Sequence, residues 1–199
     1  MQVIVVGAGI GGLSLALSLH QAGVPVRVYE AVRDLAPLGV GINLQPTAVR
    51  ELTEMGLADE LQRAGNATER LSYFNKHGQL VWSEPRGQAA GYNWPQYSIH
   101  RGHLQSLLLH AASQRIRAAN IRTGLRLTSF EQRNQKVMAS FADGTSTVVT
   151  DEADILVAPM VSTQGFGSSS TQMRGLRALP SNYCGARLSM PSLFSTAIP

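Results

Sequence analysis

From Val3 to Leu19 the chain is almost unbroken apolar sequence, interrupted by Gly7, Gly9, Gly11 and Gly12 and by two serines. A secretory leader would carry basic residues before such a run, and here only Met1 and Gln2 precede it. A membrane helix would tolerate the four glycines poorly, and the run is at the short limit of a span. The pattern instead predicts a buried strand over 2–6, a glycine turn, and a helix over 11–22. That helix places Leu13, Ala16, Leu17 and His20 on helical spacing and stops at Gly23.

The same reading continues down the chain. Residues 25–30 form a second β-branched run, and 47–55 form a short helix that ends before Gly56. Residues 71–74 and 80–82 alternate around Asn75-Lys76-His77-Gly78 and predict a hairpin. The longest helical pattern runs over 102–119, with Leu104, Leu107, Leu108 and Ala111 on one face. Residues 125–130, 137–141 and 145–149 predict an antiparallel meander that turns at Asp143-Gly144, and 154–158 return as a buried strand. Strand, helix, strand, an excursion, a long helix, a meander and a final strand argue for an α/β fold with an antiparallel insertion.

Chemistry enters at Gly7-Ala8-Gly9-Ile10-Gly11-Gly12, a G-x-G-x-x-G between a predicted strand and a predicted helix. Gly7 permits the tight turn, Gly9 lets backbone approach a pyrophosphate, and Gly12 allows helix and strand to pack closely. The helix N-terminus then points free N–H groups and its positive dipole end at the phosphates. Glu30 closes the second strand about twenty residues on, where a carboxylate accepts from ribose hydroxyls. The fingerprint does not choose between NAD and FAD. The glycine-containing loop over 36–49, in place of further short strand–helix units, is what favours FAD.

Three segments sharpen that choice: Pro37-Leu-Gly-Val-Gly-Ile-Asn-Leu-Gln-Pro46, Trp82-Ser-Glu-Pro-Arg-Gly87 and Pro95-Gln-Tyr-Ser-Ile-His-Arg-Gly-His-Leu-Gln105. With them the chain resembles the group A FAD-dependent aromatic monooxygenases of the para-hydroxybenzoate and salicylate hydroxylase type, and within these the phenazine monooxygenase branch. The resemblance runs from Met1 to about Val157. It implies a Rossmann-type FAD-binding domain in which Gly7, Gly9, Gly12 and Glu30 hold the ADP half of FAD. It further implies that Arg101 reaches the flavin phosphate and ribityl region, with Gln105 one helical turn on. Val40 and Gly41, with Ile42, would pass near the isoalloxazine. The implied reaction hydroxylates a small aromatic substrate with O2, using NADH or NADPH as reductant. The cofactor carries that chemistry, so no catalytic acid or base is expected from this chain. An inactive nucleotide-binding remnant, and an FAD- or NAD-linked oxidoreductase without hydroxylase activity, are the competing functions.

Composition narrows partners and compartment. The net charge of +4 comes almost wholly from arginine, scattered without a block, so a nucleic-acid surface is not expected. One cysteine, Cys184, excludes an internal disulfide framework and a multi-cysteine metal site, and suits a reducing cytoplasm. His100 and His103 lie three apart without a third ligand type, so no metal is expected. Trp82, Trp94 and Tyr97 could stack on a substrate but are expected in the core.

After Asp154 no acidic residue occurs, and serine becomes abundant, including Ser168-Ser169-Ser170. The resembled family continues from Asp154-Ile-Leu-Val with G-A-D-G-I-H-S, where this chain has Ala158-Pro-Met-Val-Ser-Thr-Gln164. Those residues can be encoded GCG CCG ATG GTA TCC ACT CAG. One G placed in front gives GGC GCC GAT GGT ATC CAC TCA, which reads G-A-D-G-I-H-S. Methionine has a single codon, so its final G is forced into the shifted frame. The expectation is that residues 1–157 are the N-terminal part of the FAD-binding monooxygenase domain, an incomplete fragment. Residues 158–199 would be the out-of-frame product of a one-base shift, a native disordered tail being the alternative.

Overall fold

A computed structural model describes residues 1–36, 39–145 and 148–159. The first unit is β1 (Val3–Val6), α1 (Ile10–Gln21) and β2 (Val26–Tyr29). β3 (Gly41–Leu44) follows, then α2 (Pro46–Glu54), α3 (Ala58–Ala64), β4 (Gly65–Thr68), β5 (Arg70–Phe74) and β6 (Leu80–Pro85). β7 (Gln96–His100) leads directly into α4 (Arg101–Arg115). The chain then forms β8 (Ile121–Arg122), β9 (Arg126–Arg133), β10 (Lys136–Ala142), β11 (Val148–Ala153) and β12 (Ile155–Val157).

Four strands make a parallel sheet in the order β12-β1-β2-β8, with Val5 opposite Val28 on one side and Val157 on the other. β1 and β12 are wholly apolar, as strands covered on both faces are, whereas β2 and β8 carry Arg27 and Arg122. On one face lie α1 and α4, whose Leu13, Ala16, Leu17, Leu104 and Leu108 join Val3, Val5, Val26 and Val28 in the main core. On the other face the antiparallel meander β11-β10-β9 packs Phe141, Ala139, Leu127 and Ala153 against Ile4, Tyr29 and Leu156.

The meander is fastened to the sheet through polar contacts at its border. The fully buried Tyr29 ring stacks on Phe141 at 3.9 Å and 11°. Its hydroxyl donates to Asp151 at 2.6 Å, and Asp151 also pairs with Arg27 at 2.9 Å. Burial, reinforced by the Asp151 carboxylate, pushes the Tyr29 phenol up to about 12. Asp154, just before β12, pairs with Lys136 at 2.7 Å and accepts from the Gln2 N–H, which hold its carboxyl below the usual carboxylate range.

The expected α/β architecture is present, with differences that have physical causes. His20, placed on the apolar stripe of α1, is exposed, so that stripe ends at Leu17. α4 stops at Arg115 rather than at 119, because Ile116 turns inward to 4% exposure and the chain leaves to form β8 beside β2. The segment read as a loop over 36–49 contains β3, and residues 65–68 and 96–100 contribute β4 and β7 to a second antiparallel sheet, β3-β7-β4. The hairpin stands where expected. There, however, Tyr73, Phe74, Leu80, Val81 and Trp82 are 46–67% exposed, so Trp82 is not a core residue. Among the described residues no helix is long and apolar enough to cross a membrane. The expectation for residues 158–199 falls, beyond Pro159, outside the described residues.

Candidate functional site

β1 delivers the chain into the glycine turn, and Gly7 N–H donates to the Tyr29 carbonyl at 2.7 Å, one residue before Glu30. Gly12 must be glycine for packing: a Cβ there would stand 1.9 Å from the Gly7 carbonyl oxygen. Gly9, the residue that caps the N-terminus of α1, is extended at φ −74° and ψ 178°, and a Cβ built on it meets nothing within 4 Å. The turn is therefore closed on its helix side and open at Gly9. Among the described residues no side chain caps the helix and no acid occupies its first turn, so its leading N–H groups have no side-chain partner there.

The peptide between these glycines is held from both sides. Ala8 N–H donates to Glu30 Oε2 at 2.7 Å, and Val32 N–H donates to Glu30 Oε1 at 2.8 Å. Gln105, on α4, donates through Nε2 to the Ala8 carbonyl at 2.9 Å. Each Glu30 oxygen thus accepts one backbone N–H and keeps a further lone pair for another donor. The Glu30 backbone is itself tied to the neighbouring strand, its N–H donating to the Arg122 carbonyl at 2.8 Å.

A second group gathers where β3 meets the start of α4. Gly41 pairs with His100 across the β3–β7 ladder, and Arg101 N–H donates to the Val40 carbonyl at 3.0 Å. His100 Nε2 lies 3.0 Å from the Gly39 carbonyl. Gly39 has φ +132°, which a side chain rarely adopts, and the Arg101 side chain lies along it: a Cβ on Gly39 would be 3.3 Å from Arg101 Cβ. Val40 is 73% exposed, Gly41 opens on space, and Arg101 is exposed. Arg101 and Gln105 share a face of α4 one turn apart, so this helix links the two groups.

The expected cofactor residues are therefore collected along α4, from Gly7, Gly9, Gly12 and Glu30 through Gln105 to Arg101, Val40 and Gly41. Tyr97 is buried at 8% exposure, as expected, whereas Trp94 is half-buried with the Arg50 guanidinium 5.8 Å over its ring. His100 and His103 rings lie 4.8 Å apart, and no metal-binding group of three or more ligands exists among the described residues. Sequence reasoning missed Ala8, which acts through its backbone, and the bond from His100 to Gly39. Neither leaves a composition or spacing signal.

The family model described as FAD binding domain matches residues 1–182. This chain belongs to that family. Phenazine 1,6-dicarboxylic acid hydroxylase PhzS of Lysobacter antibioticus is 45% identical over 158 residues, which are 78% of this chain and 39% of that protein. The 6-hydroxynicotinate 3-monooxygenase of Pseudomonas fluorescens is 34% identical over 79% of this chain and 40% of its own length. Klebsiella pneumoniae HpxO complexed with FAD and uric acid superposes with a TM-score of 0.68 at 27% identity, over 80% of this chain and 39% of that one. The FAD-binding domain thus sits among FAD-dependent monooxygenases in both sequence and fold. It spans about two fifths of the length of the relatives it matches.

Proposed function

We propose that this FAD-binding domain holds the ADP half of FAD on the Gly7–Gly12 turn and serves a monooxygenase that hydroxylates an aromatic, phenazine- or salicylate-like ring. The observation that carries the reading is the open face at Gly9, beside an uncapped helix N-terminus and flanked by Glu30. Backbone N–H groups there hold the pyrophosphate, and Glu30 keeps lone pairs for the ribose hydroxyls. Arg101, exposed at the head of α4, supplies a forked, charge-assisted contact to phosphate. The bare backbone at Gly41 lets the flavin ring approach closely. Bound FAD would supply the redox and oxygen-transfer chemistry, with NADH or NADPH as reductant. The residues of this chain bind and orient it.

The test is to purify the chain without denaturant, record its visible spectrum, and titrate it with FAD by flavin fluorescence. Yellow protein that takes up one FAD supports the reading. A folded, colourless chain that leaves added FAD fluorescence unchanged sinks it. NADH oxidation stimulated by an aromatic carboxylic acid supports hydroxylase chemistry. Retained flavin without stimulation would restrict this chain to cofactor binding.

A further inference from the structure

We propose that His100 is a positioning residue that latches the Gly39–Gly41 segment in the shape that receives the flavin ring; this rests on the FAD reading above. The β3–β7 ladder fixes Gly41 opposite His100, and the Arg101 N–H carries the pairing one residue further, to the Val40 carbonyl. Gly39 lies outside the β3–β7 ladder, at φ +132°, with Gly39, Val40 and Gly41 all exposed. Two glycines in so short a stretch give the backbone wide conformational freedom that folding must remove. The His100 ring supplies the hold, its Nε2 lying 3.0 Å from the Gly39 carbonyl.

A carbonyl oxygen only accepts, so Nε2 carries the proton and donates. Among the described residues Nδ1 is buried without a hydrogen-bond partner. The ring donates through Nε2, with the His103 ring 4.8 Å away. Leucine would fill similar volume without a donor, whereas glutamine places an amide N–H at comparable reach.

Hydrogen exchange followed by mass spectrometry on the FAD-free chain tests the latch directly. His100→Leu is expected to speed exchange of the segment around 39–42 about five- to tenfold. Peptides from β1 and α1 should stay within twofold of the parent, and His100→Gln should restore slow exchange. FAD titration should follow the same order, with affinity about tenfold weaker in His100→Leu and within threefold in His100→Gln. Unchanged exchange in His100→Leu, acceleration spread equally through β1 and α1, or His100→Gln as fast as His100→Leu would each overturn the proposal. If the parent chain takes up no FAD, the FAD reading fails, and exchange alone decides whether His100 is a latch.

Discussion

Gln105 donates a hydrogen bond to the carbonyl of Ala8, 97 residues earlier in the chain, at 2.9 Å. That single bond ties the second turn of the long helix to the peptide at the centre of the glycine turn. Glu30 grips the N–H of the same residue at 2.7 Å, so the turn is held before any ligand arrives. Gln105→Leu keeps the bulk and removes the donor. We expect it to cost about 0.5–1.5 kcal/mol of stability, and to weaken FAD binding more than a substitution at exposed Ser106. Chemical denaturation and FAD titration check both, and an unchanged FAD affinity would discard the positioning role.

Gly9 and Gly12 separate binding from folding. An added methyl at Gly12 meets the Gly7 carbonyl at 1.9 Å, and backbone cannot step aside cheaply. Gly12→Ala is expected to cost about 3 kcal/mol or more and to reduce soluble yield. Gly9→Ala enters open space at an extended φ, so the melting temperature should stay within a few degrees while FAD affinity drops at least tenfold. A Gly9→Ala protein that binds FAD normally would show that the open face is not the pyrophosphate site.

Tyr29 predicts an alkaline stability window. Its folded phenol stands near 12 against an ordinary value of 10.0. The neutral form is thus favoured by folding, and its contribution is fully present below pH 10. It is lost progressively as pH rises from about 10 to about 12. Tyr29→Phe removes this proton, so its stability should fall less steeply than the parent's over that interval. Denaturant midpoints measured at pH 9, 10 and 11 decide it, and parallel curves would show that Tyr29 does not titrate there.

The hairpin β5–β6 exposes Tyr73, Phe74, Leu80, Val81 and Trp82 on a two-stranded ribbon that has no third strand among the described residues. Exposed apolar surface beside free strand edges favours association. Val81→Thr with Trp82→Thr is expected to raise soluble yield and lower the apparent mass by light scattering. An unchanged mass would show that the ribbon is not what associates.

The reading frame after residue 157 remains our proposal. β12 carries the chain back to the glycine turn, with Pro159 Cβ 3.7 Å from where a Cβ on Gly11 would stand. A G-A-D-G segment restored by one base would therefore enter beside the glycine turn. Sequencing genomic DNA across codons 150–170 should reveal an adjacent frame that encodes it and continues with related sequence. No related sequence in either alternative frame would remove the idea.

The sheet unit and its helix were legible because their signals are local. β1, α1 and β2 each bury a short run whose periodicity is complete within a few residues, and the glycines mark the turn directly. β3 was not, because Gly41-Ile-Asn-Leu44 has the composition of a loop. It becomes a strand only by pairing with Gln96–His100, more than fifty residues away. Trp82 was expected in the core because indole burial is favourable on average, but a hairpin with one neighbour offers no second surface to bury it. α3 was missed because its residues follow directly on the Gly56 stop and form only a short helix.

The sequence alone determined the α/β class and the glycine turn with its acid at Glu30, since spacing and local sterics fix these; Arg101, Gln105, Val40 and Gly41 were named only through the family resemblance. Only the tertiary structure decided how those parts are held. The grip of Gln105 and Glu30 on Ala8, the bond from His100 to Gly39, and the exposure of the hairpin depend on backbone atoms and distant partners. Those are relationships between residues far apart in the chain, and no local pattern of side chains encodes them.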